Sequence, residues 1–202
     1  MKFVRIYKKK VIINYFGGGC FRLQSGETSL LLDPENNRLK ADLTLRTLTA
    51  TDNVPNKSAS GGEEFSFPGE YEVKGIEILG FSIQKESTEK FLKTAYVVIW
   101  EEIVFAFLGH ISKLPDPELL DKLGEPDVLI LPVGGGHFLA DDAAAKLARQ
   151  LEPSFVIPSF SKNPSSFLKA IGSKAERQEK LVFKKKDLGV GKMQVIALEA
   201  KS

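Results

Sequence analysis

"PDVLILPVGGGHFLADDAAAKLARQLEPSFVIPSF", residues 126–160, decides the fold. Its first part, 126–136, is a continuous apolar run without alternation, as a strand buried on both faces requires. The segment 140–153 that follows is helical. Asp141 or Asp142 stands at the N-cap, and Pro153 ends the pattern. "SFVIPSF" (154–160) is a second buried strand. Buried strands joined by a helix place this half of the chain in the α/β class.

Outward from this unit the same grammar continues for a short distance. "PDPELLDKLG" (115–124) upstream is a short helix ended by Gly124, and "NPSSFLKAIGS" (163–173) downstream is a Pro-initiated helix stopped by Gly172. The strands "KLVFKKKDL" and "KMQVIALEA" follow. The N-terminal half instead reads as hairpins. "KVIINYF" (10–16), "CFRLQS" (20–25) and "TSLLLDP" (28–34) are short β-branched or aromatic runs closed by Gly or Pro. "ADLTLRTLT" (41–49) is a further strand with Leu43, Leu45 and Thr47 on one face, and 49–64 is a polar loop. Segments 70–86, 94–102 and 103–110 return to strand character, with Glu101–Glu102 as a turn. Two mixed β-sheets packed face to face, with helices outside, satisfy this order. The expected architecture is an α/β four-layer αβ/βα sandwich, one domain over 1–202.

Composition narrows the function classes. The chain has 202 residues, 43% hydrophobic and 27% charged, enough for a real core. A net charge of +2 gives no case for nucleic-acid binding. The runs Lys8–Lys10 and Lys184–Lys186 read as solvated turns. One cysteine, Cys20, excludes an intrachain disulfide framework and suits a reducing cytoplasm. Lysines interrupt the apolar N-terminus, and no run approaches the ~20 residues that span a bilayer. A cytoplasmic protein without membrane contact is expected.

Several short motifs, taken in order, resemble the metallo-β-lactamase superfamily, in particular its branch of small zinc hydrolases that includes the L-ascorbate-6-phosphate lactonase. They are "YFGGGCFRL" (15–23), "LLLDP" (30–34), "AD" (41–42), "FPGEYEVKGIEI" (67–78), "IVFAFLGH" (103–110), "PDVLILPVGGG" (126–136) and "LEPSFVIPSF" (151–160). The resemblance implies the metallo-β-lactamase fold and hydrolysis by a zinc-activated water, whose pKa a bound ion lowers to ~7. It also implies a His-x-His-x-Asp-His ligand loop, and here this chain departs. Laid on "TLTATDN", that signature places Leu48 and Ala50 at the first two histidines, Asp52 at the aspartate and Asn53 at the last histidine. Gln84 and Lys85 stand where a further histidine is expected, Gly109–His110 replaces Gly-Asp, Pro158–Ser159–Phe160 replaces Pro-x-His, and Gly17–Gly18 replaces Gly-His. Leu, Ala and Phe cannot coordinate a cation. The expectation is a protein of this fold that lacks most zinc ligands, a pseudoenzyme with no cofactor, binding a small anionic ligand or a protein partner such as a second copy of itself.

One arrangement would restore chemistry. Asp52, His110 and His137 compose a two-His, one-carboxylate set able to hold one zinc or manganese ion, which would make the chain a hydrolase of phosphoesters or lactones. Taken singly, each has a plainer role: Asp52 in an Asx-turn or helix cap, His110 at a strand end, His137 exposed beside glycines. Cys20 reads as a small buried hydrophobe before it reads as a nucleophile. Glu70 and Glu72 share a face of one strand and could pair as acid and base, although a structural role is preferred. "PVGGGHF" could cradle an anion through its amides, but lacks the Lys-Ser/Thr of a P-loop.

Overall fold

A computed structural model describes residues 9–36, 38–52, 61–175, 177–189 and 193–201. In chain order the elements are β1 (Val11–Tyr15), β2 (Phe21–Ser25), β3 (Thr28–Leu32), β4 (Leu43–Leu45), β5 (Leu48–Ala50), β6 (Glu63–Phe65), β7 (Gly69–Val73), β8 (Ile76–Ser82), β9 (Phe91–Trp100) and β10 (Ile103–Phe107). Then follow α1 (Pro117–Leu123), β11 (Val128–Pro132), α2 (Asp141–Leu151), β12 (Phe155–Ser159), α3 (Ser165–Ile171), β13 (Arg177–Gln178), β14 (Leu181–Phe183), β15 (Gln194–Val195) and β16 (Ala197–Leu198).

Two large mixed sheets result, as the sequence predicts, beside a small parallel pair of β13 and β16. One has the order β14-β1-β2-β3-β4-β6, and the other runs β15-β12-β11-β10-β9-β8-β7 with β5 also paired to β9. Between them lies one core. Val11, Ile13, Leu23 and Leu30 of the first sheet pack with Val98, Phe105, Ile130 and Ile157 of the second. Strands β1 and β2 bury alternate residues, so one face of each meets this core. β11 and β12 are buried at every position, because their second face is covered by helices. Leu119, Leu123, Ala144, Leu147, Phe167 and Ile171 close that side against Ala106, Leu129 and Val156. All three described helices therefore lie outside the larger sheet.

Local chemistry explains the element ends. The Asp116 side chain accepts from Leu119 N and caps α1, and left-handed Gly172 ends α3. α2 departs from expectation, because its N-cap is Ala140 and neither aspartate caps it. Asp141 sits in the first turn, where it accepts from Gly134 N at 2.9 Å and favours the positive end of the helix. The expected strand 41–49 is also two strands. The chain leaves the first sheet at Arg46 and joins the second at Leu48. Thr47 N leaves the ladder to bond the Asp33 carboxylate, and the Arg46 Nε bonds Glu64 at 2.9 Å. The expected loop 49–64 accordingly begins with part of β5 and ends with β6, while 53–60 lie outside the described residues. No helix among the described residues is long and apolar enough to cross a membrane.

Candidate functional site

One rim of the sandwich collects the carboxyl ends of strands from both sheets, the usual place for ligands in α/β folds. Asp33 follows β3, Thr47 lies just past β4, His110 comes after β10, Phe138 after β11 and Phe160 after β12. The backbone there is unusual. Asp33 and Phe160 hold φ of 41° and 59°, a left-handed region that costs most L-residues roughly 1–2 kcal/mol. The other described non-glycine residues in that region sit at hairpin turns or a helix end, namely Lys74, Glu101, Glu102 and Glu152. Two glycines permit the close approach. A Cβ at Gly19 would overlap the Phe160 ring, and one at Gly109 would overlap Thr47.

The polar centre is a chain of three groups. Asp33 accepts from Thr47 N at 2.7 Å and from Thr47 Oγ1 at 2.5 Å. Thr47 Oγ1 also lies 2.8 Å from His110 Nδ1. Burial raises the Asp33 pKa to about 6, a rise that the two Thr47 donors and nearby Arg46 only partly offset. Burial lowers the His110 pKa to about 4, helped by Lys93. At neutral pH the carboxylate is therefore charged and the imidazole is not. Thr47 has a single hydroxyl hydrogen, and it is donated in the bond to the carboxylate. His110 must then carry its hydrogen on Nδ1 and donate it to Thr47 Oγ1, which leaves the lone pair on Nε2.

Aromatic rings wall this centre. The Phe138 and Phe160 rings stack at 4.2 Å between centroids, and Phe160 lies 4.7 Å from the His110 ring. Phe160 N donates to Gly18 O at 2.7 Å, so the glycine loop and the end of β12 are tied together. Beneath the loop, burial first and Asp33 second push the Cys20 thiol up to about 12. Cys20 is 3% exposed and remains a thiol, without the character of a nucleophile.

The residues that stand in for ligands fall as follows. Leu48 and Ala50 are half-buried on β5, opposite Lys93 and Phe91. Asp52 is exposed just beyond β5, and Asn53 lies outside the described residues. Gln84 and Lys85 are exposed, and Lys85 pairs with Asp116. His137 is exposed on a turn whose glycines have positive φ. Among the described residues no group of three His, Cys, Asp or Glu side chains could hold a metal ion, so Asp52, His110 and His137 are not brought together as a ligand set. The donors at the rim do not fit a divalent ion either. One carboxylate and one imidazole are already bonded to the same hydroxyl, and phenylalanines wall them in, whereas zinc takes three or four N, O or S ligands.

Other candidates also find structural uses. The amides of the "PVGGGHF" turn are engaged inside the protein: Gly134 N bonds Asp141, Gly135 N bonds Leu139 O, and Phe138 N bonds Gly135 O. These three amides are therefore not free to cradle an anion. Glu70 and Glu72 are exposed on the edge strand β7. Asp33 and Thr47 were missed as site residues by the sequence reading. Their signal was an aspartate placed after three leucines and before a proline, and a threonine inside an otherwise leucine-marked run.

This rim, built at strand ends between two mixed sheets, is that of the metallo-β-lactamase fold. A family model for the beta-lactamase superfamily domain matches residues 12–159, and the chain belongs to that superfamily. Its relatives include a UPF0173 metal-dependent hydrolase of Methanocorpusculum labreanum, 24% identical over 178 residues, which cover 72% of this chain and 81% of that protein. A UPF0173 metal-dependent hydrolase of Pyrococcus horikoshii is 31% identical over 91 residues, 41% of this chain and 40% of that one. Among solved structures, a protein of Thermotoga maritima assigned to the Zn-dependent hydrolases of the metallo-beta-lactamase superfamily superposes with a TM-score of 0.78 at 23% identity, covering 94% of this chain and all of that one.

Proposed function

We propose that this chain is a metal-free member of its superfamily that binds a partner and does not hydrolyse a substrate. One observation carries the reading. Where a ligand set would stand, the rim holds a Thr47-bridged Asp33 and His110 closed by the stacked Phe138 and Phe160. A neutral imidazole beside a carboxylate does not attract an anion. The occupant of the rim is thus a protein surface, another copy of this chain included, and a small anionic ligand belongs elsewhere on the molecule.

The test is metal content by elemental analysis after growth with added zinc and manganese, followed by assays on phosphoester and lactone substrates. Near-zero metal and no turnover are expected. About one tightly held ion per chain, with turnover lost in His110→Ala, sinks the proposal. The relatives' names, metal-dependent hydrolases, support a second reading in outline; in this chain it would be a zinc or manganese hydrolase with a site rebuilt around Asp52, His110 and His137. It requires the three side chains to move together on binding the ion.

A further inference from the structure

On the other side of the loop that carries His110 lies a pocket of about 400 Å³, between the end of β8, the turn Gln84–Glu86 and α1. The volume falls in the range of small-ligand sites. Its apolar lining includes Phe81, Ile83, Ile111 and Leu119, and Leu114 on its wall is 41% exposed. Few large apolar side chains among the described residues are left so open to water, and this one lines a concavity.

Three carboxylates and three ammoniums line the pocket, but one of the carboxylates is turned away from it. Glu86 is consumed by the protein: it accepts from Lys93 Nζ at 3.0 Å, from Ser112 N and Oγ at 2.8 Å each, and from Lys113 N at 2.9 Å. Asp116 caps α1 and pairs with Lys85 at 3.1 Å, while Glu118 pairs with Lys122 at 2.6 Å. The third lining cation, Lys113, has no side-chain partner among the described residues. Its backbone is nonetheless fixed, because Glu86 holds both its own amide and that of Ser112. An apolar floor with one unmatched ammonium on a pinned segment is a preorganised arrangement, which lowers the ordering cost of binding.

We propose that this pocket binds a small amphipathic molecule with an apolar body and a single anionic head, a carboxylate or a phosphate monoester, the head lying at Lys113. None of Asp33, Thr47, His110, Phe138 and Phe160 lines this pocket, and the proposal stands whether or not the chain proves to be a hydrolase.

The full chain would be titrated with octanoate and octyl phosphate, with octanol and octylamine as comparators. Calorimetry reads affinity, and amide NMR signals of Ile111, Lys113 and Leu114 read location. Saturable binding of at least one anion is expected, with octanol weaker by about tenfold, as loss of one charge-assisted contact implies. The preferred head tells a carboxylic acid from a phosphomonoester. Lys113→Glu should abolish the preference for anions, and Leu114→Ala should weaken every ligand. Both side chains are exposed, and an unchanged melting temperature shows that the variants fold. Octanol binding as well as octanoate, an anion preference untouched in Lys113→Glu, or shifts confined to other residues would each overturn the proposal, as would no saturable binding of either anion.

Discussion

Two carboxylates flank the loop that carries His110, Asp33 on the rim side and Glu86 on the pocket side. Their enclosure is similar, with side chains 9% and 6% exposed. Their pKa values are shifted in opposite directions. Burial acts on both to favour the neutral acid, and Asp33 is left raised to about 6 because a single residue, Thr47, supplies its donors. Burial is also the largest influence on Glu86, yet an ammonium, a hydroxyl and two amides together hold it below the usual carboxylate range. Surface exposure alone does not set the pKa of a buried acid. How deeply it is packed, and the number and charge of the donors around it, do.

The largest test of this contrast is Glu86→Ala. It leaves the Lys93 ammonium, 19% exposed, without its partner and frees the Ser112 and Lys113 amides. Breaking such an enclosed pair should cost about 3–5 kcal/mol in urea unfolding. Glu86→Gln keeps an acceptor and should cost less. A loss in Glu86→Ala no larger than an average surface change would break the comparison.

Next comes the pH dependence of the rim. Asp33 is more readily protonated in the folded state, so its contribution is full below about pH 4 and is lost as pH rises through about 6. His110 works in reverse: its contribution is present above about pH 6.5 and is lost as pH falls through about 4. Each amounts to roughly 3 kcal/mol, and over pH 4–6 they oppose one another. The parent protein should show little slope from this pair. In His110→Phe stability should fall as pH rises across that window, and in Asp33→Asn it should rise. Urea titrations at several pH values decide, and slopes of equal sign in both variants would refute the assignment.

The smallest effect concerns Phe160. Phe160→Ala removes the stack with Phe138 and should cost about 2 kcal/mol, less than for a fully buried ring. Phe160→Gly should be about 1 kcal/mol more stable than the alanine variant, because glycine alone occupies a φ of 59° without strain.

Much of the scaffold was legible because its signals are local. The unbroken apolar run of β11, the cap at Asp116 and the stop at Gly172 each depend on a few consecutive residues. The capping of α2 was misread because two adjacent aspartates both suited the position, and a distant amide, Gly134 N, claimed one of them. The break at Thr47 was invisible for the same reason. A strand and a sheet-crossing segment share the same leucine spacing, and only the carboxylate 14 residues earlier distinguishes them. The departure from the ligand signature could be read directly from sequence. That Thr47 joins Asp33 to His110, and that Phe138 stacks on Phe160, could not, since these groups come from strands far apart in the chain.

The pairing of β1 with β14 has a consequence for how the protein is made. Val11 finds its neighbour on one side in Ser25, but on the other side only in Phe183. While the chain is being synthesised, β1 is an open strand edge until residues 181–183 have emerged. Such edges are templates for unwanted pairing between chains. The closing strand of the first sheet is therefore also what withdraws its oldest edge from the crowd of other nascent chains.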